Sequence, residues 1–386
     1  MWYFVSPQVV FGEGALSVLE EIEGRTALIV TDKNLVEMGT AERVMAHLKQ
    51  AGIQGHVYDA VEPDPCAETV YGGVKVAMGI QPDWIIGLGG GSPMDVAKAV
   101  WVLYERPDLQ LEEINPIVQL GLRKKARLIC IPTTSGTGAE ATWAIVITDK
   151  SEGRKMGLGN RENVADLAIV DPSLASGMPP GLTADTGLDA LTHAVEGFTC
   201  TWHTDLTDGL CIQAARLVFS YLPLAVSDGS NLEARERMHN AAVCAGLGFG
   251  NAMASAAHAM GHVLGAVFHL SHGRAVGICL PYTIEFAARE APQRFAELSA
   301  LLGQPGEGEA GARLLSGRVR ELCNLVGVPT SLAEAGVGRE AFDEHLDKLV
   351  EDAFNDTQML TAVRCPTYDE LGKIFSYAYE GKPVDF

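Results

Sequence analysis

The strongest constraint on the fold of this chain is a change of pattern at a cluster of glycine and proline residues between positions 177 and 181. Before this cluster, short apolar runs alternate with helical stretches, whereas the residues after it show helical patterns and almost no strand pattern. Strands separated by helices predict βαβ units and a largely parallel sheet. Because Gly and Pro clusters interrupt regular structure, we predict an α/β domain over residues 1–178 and an all-α domain over residues 179–386.

Four short apolar runs in the first domain are predicted to be buried strands, because residues typical of loops follow each of them. These runs are residues 26–32, 83–90, 127–134 and 167–172. Residues 40–52 carry a helical pattern that begins near a threonine and stops at a glycine. In the second domain we predict seven helices near residues 183–200, 204–226, 231–265, 283–303, 308–326, 339–354 and 367–380.

Composition narrows the class of protein. The 386 residues include 47% hydrophobic and 20% charged residues, which is typical of a soluble globular protein. A formal net charge of -20 argues against nucleic acid and anionic membranes as partners, since both attract clustered Lys and Arg. The N-terminal segment lacks the basic region of a signal peptide, and the eight cysteines form no C-x-x-C pair. We therefore expect a cytoplasmic protein with reduced thiols.

Two polar loops in the first domain are candidates for binding a dinucleotide. The sequence GLGGGSPMDVAKA (87–99) follows a predicted strand and opens a helix, where glycines and free N–H groups suit a pyrophosphate. Ser92 is predicted to cap this helix, with Asp95 completing a pattern like a capping box. The loop PTTSGTGAEAT (132–142) follows the next strand and is rich in hydroxyl groups. The glycine loop alone is also compatible with a tight connection, and the second loop alone with a Gly/Thr surface loop. Together they favour a dinucleotide at the carboxyl ends of parallel strands.

The second domain contains an unusual concentration of histidine in apolar sequence. Four of the ten histidines of the chain lie between residues 258 and 272. Asp189 and His193, like His258 and His262, are four residues apart, so each pair shares one face of a helix. Asp189, His193, His258 and His272, the last in a predicted turn, form a candidate site for Fe(II) or Zn(II). Taken singly, each of these residues is also compatible with a solvated pair or a hydrogen-bonded core histidine.

Four segments of the chain resemble the signature segments of the iron-containing (group III) alcohol dehydrogenase family: GGGSPMDVAK, PTTSGTGAE, GLDALTHAVE and HAMGHVLGAVFHLSHG. The resemblance extends from FGEGAL near the start to PTYDELGKIFSYAYEG near the end. It implies a dehydroquinate-synthase-like architecture, in which a dinucleotide-binding α/β domain precedes a helical domain with a metal. It also implies NAD and Fe(II), with Zn(II) as the alternative metal, and a homodimer or larger homo-oligomer.

The resemblance assigns roles to residues by their position in these motifs. The metal ligands would be Asp189, His193, His258 and His272, whereas His262 would stand near the substrate without binding the metal. Asp32 would contact the adenosine ribose and, as a carboxylate, would favour NAD over NADP. Phe249 and Asn251 would line the substrate pocket. The residues that would contact the rest of the cofactor are Gly90, Gly91, Ser92, Asp95, Thr133, Thr134, Thr137, Thr142 and Lys155.

The function that this resemblance implies is NAD(H)-dependent interconversion of small primary alcohols or diols and aldehydes. The metal would act as a Lewis acid, and His262 is the candidate to relay the hydroxyl proton, because histidine titrates near neutral pH. The alternative is a dehydroquinate-synthase-like lyase that uses NAD and a metal. Such an enzyme needs several cations to hold a phosphorylated substrate, and Arg274 is the only Lys or Arg near the candidate ligands in sequence.

Overall fold

The computed structural model describes residues 3–149 and 154–386. Contacts within the chain divide it into two compact units, Met1–Gly177 and Met178–Phe386. The first unit is an α/β unit and the second is helical, so the predicted fold class is confirmed.

The first unit is built on a six-stranded parallel sheet. The strands of this unit are β1 Gln8–Phe11, β2 Thr26–Val30, β3 Gln54–Tyr58, β4 Trp84–Gly89, β5 Arg127–Pro132, β6 Ala144–Asp149, β7 Arg154–Gly159 and β8 Leu167–Val170. The strand order in the sheet is β1-β8-β5-β4-β2-β3, and a separate antiparallel hairpin pairs β6 with β7. The four predicted strands are confirmed as β2, β4, β5 and β8, whereas β1, β3 and the hairpin were not predicted.

Strand β2 shows why the strands of this sheet are continuous apolar runs in the sequence. Ala27 and Ile29 belong to one hydrophobic cluster, whereas Leu28 and Val30 belong to another, because successive side chains point to opposite faces. Both faces are therefore buried, as is typical of parallel sheets. The helices of this unit are α1 Lys33–Glu37, α2 Thr40–Gln50, α3 Ala67–Ile80 and α4 Gly91–Glu105.

The strand order reverses direction at β2. From β2 the chain adds β3 on one side, and then returns to add β4 on the other side. Such a switch point leaves a crevice at the carboxyl ends of the two strands on either side of it, here β2 and β4, where open α/β sheets bind ligands. Asp32 follows β2 and the glycine loop follows β4, so both lie at this end of the sheet.

The second unit is entirely helical: no strand occurs in residues 178–386, all of which are described. Two predicted helices were wrong in extent. The predicted helix 231–265 is two helices, because the chain leaves the helical conformation at Ala252 and starts again after Ser255. The predicted helix 283–303 is also two, and the first of them already begins at His272. The helices are α5 Pro180–Thr199, α6 Asp205–Ser227, α7 Leu232–Asn251, α8 Ala256–Phe268, α9 His272–Ala287, α10 Pro292–Leu301, α11 Gly308–Leu325, α12 Arg339–Phe354 and α13 Tyr368–Glu380.

Helix α6 is long and apolar enough to cross a membrane by length and composition. Its buried residues Ala214, Ala215 and Val218 nevertheless belong to the main hydrophobic cluster of the second unit. The same apolar composition is typical of a helix that packs in a protein core.

Candidate functional site

The glycine loop and the threonine-rich loop adjoin one another in the first unit. Gly89 has a φ of +148°, and a Cβ there would lie 2.6 Å from Pro93 Cγ, so this turn requires glycine. A Cβ on Gly90 would lie 3.3 Å from Thr134 Oγ1, and one on Gly91 would lie 3.1 Å from Thr137 Cγ2. The Thr133 N–H donates to the Gly89 carbonyl at 2.9 Å. The two loops that were predicted separately are therefore neighbours in the fold.

The predicted cap of helix α4 was wrong. The helix begins at Gly91, its N-cap residue is Gly90, and no side chain caps it, so Ser92 lies inside the first turn. Asp95 does not complete a capping box either, because its Oδ2 accepts a hydrogen bond from the Val146 N–H at 2.9 Å. A glycine N-cap leaves the backbone N–H groups of this helix start without a competing side chain, which suits an anionic ligand.

A buried lysine, which the sequence analysis did not identify, connects the two loops. Lys98 Nζ lies 3.6 Å from Asp95 Oδ1 and donates to the Ala144 carbonyl at 2.8 Å and to Thr142 Oγ1 at 3.4 Å. Asp95 and Thr142, both predicted to contact a cofactor, are thus held by Lys98 in this structure. Burial raises the pKa of Asp95, although Lys98 and the Val146 N–H oppose that shift.

Glu140 is a second buried ionisable residue that the sequence analysis did not identify. Its side chain is buried, and its Oε1 has no hydrogen-bond partner in the part of the chain that the structure describes. Burial raises the pKa of this carboxyl to about 7. Ionising a buried carboxyl that has an unpaired oxygen is costly, so burial favours the protonated form of Glu140, which is itself a residue of the threonine-rich loop.

The two remaining cofactor candidates lie outside the two loops. Asp32 is the N-cap of α1, where its Oδ1 accepts from the Leu35 N–H at 3.1 Å. Lys155 lies in β7, and its Nζ forms an ion pair with Asp64 Oδ1 at 2.7 Å. Both side chains are therefore engaged with other residues in the described structure.

In the second unit, four side chains from three helices form the candidate metal site. Asp189 and His193 lie on α5, His258 lies in the first turn of α8, and His272 is the first residue of α9. Asp189 Oδ1 is 3.6 Å from His258 Nε2, 3.4 Å from His272 Nε2 and 3.6 Å from His193 Nδ1. Asp189, His258 and His272 can each direct one ligand atom so that all three lie within 4.8 Å of one another. His193 borders this group through its contact with Asp189.

The polar atoms of this cluster have the properties of metal ligands. Asp189 Oδ1, His193 Nδ1 and His258 Nε2 are buried and have no hydrogen-bond partner within the described residues. Unpaired buried polar atoms are rare in folded proteins, and each needs a physical explanation. One carboxylate and three imidazoles that face one another fit a divalent metal such as Fe(II) or Zn(II).

The protonation states of Asp189 and His193 also fit a cation. Burial disfavours the charged form of a carboxyl, but His193 and His272 outweigh burial and hold the pKa of Asp189 well below its ordinary value. Burial lowers the pKa of His193 to about 3. An ionised carboxylate and a neutral imidazole are the forms that bind metals.

Glu196 is the residue of this site that the sequence analysis missed. It lies on α5, seven residues after Asp189 and three after His193, so all three share one face of the helix. Its Oε2 is 2.5 Å from His258 Nδ1, and Glu196 and Asp189 raise the pKa of His258 to about 9 against the effect of burial. The i, i+4, i+7 spacing on an apolar helix was the available signal.

The other two histidines of the segment behave differently. His262 lies on α8, with its ring 5.4 Å from that of His272 and its Nδ1 2.7 Å from Asp356 Oδ2. His269 is exposed, has a φ of +56° and ends α8, so it takes no part in the cluster. The sequence placed His272 in a turn, but the turn ends at Ser271 and His272 begins a helix.

The predicted pocket residues have distinct contacts. Phe249 stacks on His193, with ring centroids 3.8 Å apart and an angle of 10° between the planes. Asn251 donates to the Leu247 carbonyl at 2.9 Å, one turn earlier in its own helix. Phe249 thus borders the candidate metal site directly.

Both units of the chain match known protein families. Residues 6–172 match the family model for iron-containing alcohol dehydrogenase, and residues 183–379 match the C-terminal model for the Fe-containing alcohol dehydrogenase family. The chain is 39% identical to the NADPH-dependent butanol dehydrogenase of Clostridium saccharobutylicum, over 100% of both chains. It is 33% identical to the NAD-dependent methanol dehydrogenase of Bacillus methanolicus, over 97% of this chain and 99% of the relative. A crystal structure of 1,3-propanediol oxidoreductase, 32% identical, superposes with a TM-score of 0.92 and covers 98% of this chain and 100% of that one.

Proposed function

The chain belongs to the iron-containing alcohol dehydrogenase family, and from that premise we propose that it interconverts small primary alcohols or diols and aldehydes with NAD(H). Members of the family are oxidoreductases of CH–OH groups that use a nicotinamide cofactor and a divalent metal. For this chain we propose Fe(II) as the metal and Zn(II) as the alternative. The observation that carries the proposal is the set of buried, unpaired ligand atoms on Asp189, His193 and His258 beside His272.

The residues of the cluster would hold the metal through one carboxylate and three imidazoles. When bound, the metal would supply Lewis-acid polarisation of the substrate oxygen, and the nicotinamide would exchange the hydride. Phe249, stacked on His193, would form an apolar wall that excludes water from the substrate. Asn251 is proposed to line the same pocket.

His262 would move the hydroxyl proton. Its Nδ1 is occupied by Asp356, so Nε2 is the ring atom left to exchange a proton with the substrate. The carboxylate at Nδ1 keeps the ring in one orientation. His262 is therefore proposed as the catalytic acid and base of the reaction.

In the first unit, the helix start at Gly90 and Gly91 and the hydroxyls of the adjoining loop would bind the pyrophosphate and ribose. Ser92, Asp95, Lys155 and the threonines of that loop (Thr133, Thr134, Thr137 and Thr142) are proposed to contribute to this site. Asp32, at the end of β2, is proposed to bind the adenosine ribose and to favour NAD. That preference would distinguish the chain from the NADPH-dependent butanol dehydrogenase.

The dehydroquinate-synthase-like lyase is not favoured, because the relatives act on simple alcohols by name. Arg274, the cation near the candidate ligands, is bound to Asp185 Oδ1 at 3.1 Å. We also propose that the enzyme is cytoplasmic and homo-oligomeric. Free thiols at all eight cysteines suit a reducing compartment.

The proposal is tested by metal analysis together with NADH oxidation on short aldehydes, before and after chelation and after restoring Fe(II) or Zn(II). We expect about one metal per chain and turnover that depends on it. His258→Ala should lose both, whereas His269→Asn, which replaces an exposed histidine and tolerates its left-handed conformation, should keep both. Turnover that is independent of metal would overturn the proposal.

A further inference from the structure

Glu196 is a buried carboxylate that is not one of the candidate metal ligands, yet it contacts the start of the helix that carries His258. The Glu196 side chain is 5% exposed, and it faces the start of helix α8. Its Oε1 accepts from the Ala257 N–H at 2.6 Å, and its Oε2 accepts from the Ser255 N–H at 2.9 Å. The same Oε2 lies 2.5 Å from His258 Nδ1. One side chain thus contacts both the backbone and the imidazole that present His258.

These contacts determine which nitrogen of His258 keeps its proton when the other nitrogen binds a metal. Both oxygens of Glu196 already accept from backbone N–H groups, so the carboxylate acts as an acceptor. His258 Nδ1 must therefore donate, and Nε2 is the nitrogen left to bind a metal. Consistent with this assignment, Nε2 is directed towards Asp189 Oδ1 and has no hydrogen-bond partner among the described residues.

Glu196 also replaces the missing cap of α8. The N-cap residue Ser255 makes no side-chain cap hydrogen bond, and His258 lies within the first turn that a cap would stabilise. A carboxylate from another helix supplies the acceptors that this helix start needs, and its charge is favourable at a helix N-terminus. Without Glu196, both the ring orientation of His258 and the backbone that carries it would be less constrained.

We propose that Glu196 is a positioning residue for the metal site, which holds His258 in the tautomer and orientation that bind the metal through Nε2. The proposal rests on the metal-binding part of the proposed function. Carboxylates that hydrogen-bond to metal-binding histidines raise metal affinity by about 10–100-fold. Helix α5 would then contribute two ligands and the support for a third from a single face.

The test compares metal affinity in Glu196→Gln with that in Glu285→Gln. Glu285 is a second buried carboxylate of the same unit, but it contacts Ser316, Arg320 and the Val384 N–H, which lie outside the metal cluster. Co(II) and Zn(II) binding to metal-free protein would be measured by competition with a chelator, and the visible spectrum of bound Co(II) would report ligand geometry. Thermal unfolding of each metal-free variant would be recorded in parallel.

We expect Glu196→Gln to weaken metal binding by about 10–100-fold and to alter the Co(II) spectrum. Glu285→Gln should lower thermal stability yet bind Co(II) with wild-type affinity and spectrum. If Glu196→Gln does not fold, Glu196→Asp keeps the charge but shortens the reach, and it should show an intermediate loss. Wild-type affinity and spectrum in a folded Glu196 variant would overturn the proposal and reduce Glu196 to a structural cap.

The outcomes separate this proposal from the proposed function. Wild-type protein that binds one metal tightly but converts no alcohol or aldehyde would overturn the function and leave the role of Glu196 intact. Metal-dependent turnover in wild type, together with unchanged metal affinity in Glu196→Gln, would overturn the positioning role alone. Wild-type protein that binds no metal would overturn both.

Discussion

Asp356 Oδ2 lies 2.7 Å from Nδ1 of His262, although 94 residues separate the two in sequence. The other oxygen of Asp356 accepts from the Gln358 N–H at 2.8 Å, so the carboxylate also caps a 3₁₀ helix, Thr357–Thr361. Burial opposes ionisation, but the hydrogen bond and charge of His262 keep the pKa of Asp356 below its ordinary value. An ionised Asp356 therefore orients the histidine that we propose to carry the substrate proton.

Asp356→Asn should lower kcat by about tenfold or more without changing metal content, because general acid–base catalysis typically contributes a larger factor than that. Asparagine keeps the cap of the 3₁₀ helix but removes the carboxylate that orients His262 through Nδ1. Steady-state kinetics and metal analysis would be run beside Asp352→Asn, a partly exposed carboxylate four residues earlier that pairs with Lys348. Equal kcat values in the two variants would contradict the proton-relay role.

Asp32→Asn should reduce the preference for NADH over NADPH. Asparagine is as good an N-cap as aspartate, so helix α1 should keep the hydrogen bond that the Leu35 N–H donates. The negative charge that we propose to repel a 2′-phosphate would be lost. We expect the ratio of kcat/KM for NADH to that for NADPH to fall by about tenfold or more. An unchanged ratio would show that cofactor choice is made elsewhere.

Gly273→Ala should disrupt the approach of helices α5 and α9. A Cβ at this position would meet the backbone oxygen of Asp185 at 2.0 Å and Asp189 Cβ at 3.2 Å, so the helix start that carries His272 would have to move. We expect a loss of about 1–3 kcal/mol in the free energy of unfolding and weaker metal binding.

The matched control for this substitution is Gly317→Ala in helix α11, where an added Cβ meets no atom within 4 Å. Alanine there should be neutral or stabilise the fold by up to about 1 kcal/mol, because it favours the helix. Urea unfolding and chelator competition would be measured on both variants. Metal binding that is equally strong in the two would count against the close approach at Gly273.

Glu140→Gln should stabilise the protein more at high pH than at low pH. The pKa of Glu140 is raised from 4.5 to about 7 in the folded protein, mainly by burial. Below about pH 4.5 the carboxyl is protonated in both folded and unfolded chains, so it contributes no pH-dependent difference. As pH rises from there to about 7, only the unfolded chain loses the proton, and the free energy of unfolding falls by ~3 kcal/mol.

This effect would be measured as the difference in urea unfolding between wild type and Glu140→Gln at pH 4.5 and pH 8, with chelator present. The contributions of the other carboxyls that titrate in this pH range are the same in both proteins, so they cancel in this difference. Glu112→Gln, at an exposed position, is the control and should show no pH-dependent gain. A gain from Glu140→Gln that is the same at both pH values would contradict the raised pKa.

Several features of the fold and the site could be predicted from sequence because they depend on neighbours along the chain. The apolar runs of β2, β4, β5 and β8 are continuous, because both faces of the parallel sheet are buried. The change to helical pattern after residue 177 gave the fold class. Asp189 with His193, and His258 with His262, share helix faces because their spacing is four residues. Local periodicity thus determined the elements and paired the candidate residues within them.

The tertiary structure alone decided which of these pairs meet and what supports them. His258 and Glu196 are 62 residues apart in sequence, and His262 and Asp356 are 94 apart, so no local pattern predicts either contact. Asp95 shows the same limit: its spacing suggested a helix cap, but the hairpin strand β6 brings the Val146 N–H to it instead. A buried polar side chain must form a hydrogen bond with a group that the packing of the elements brings close to it. Which group that is depends on how the helices and strands pack and not on the spacing of residues in the sequence.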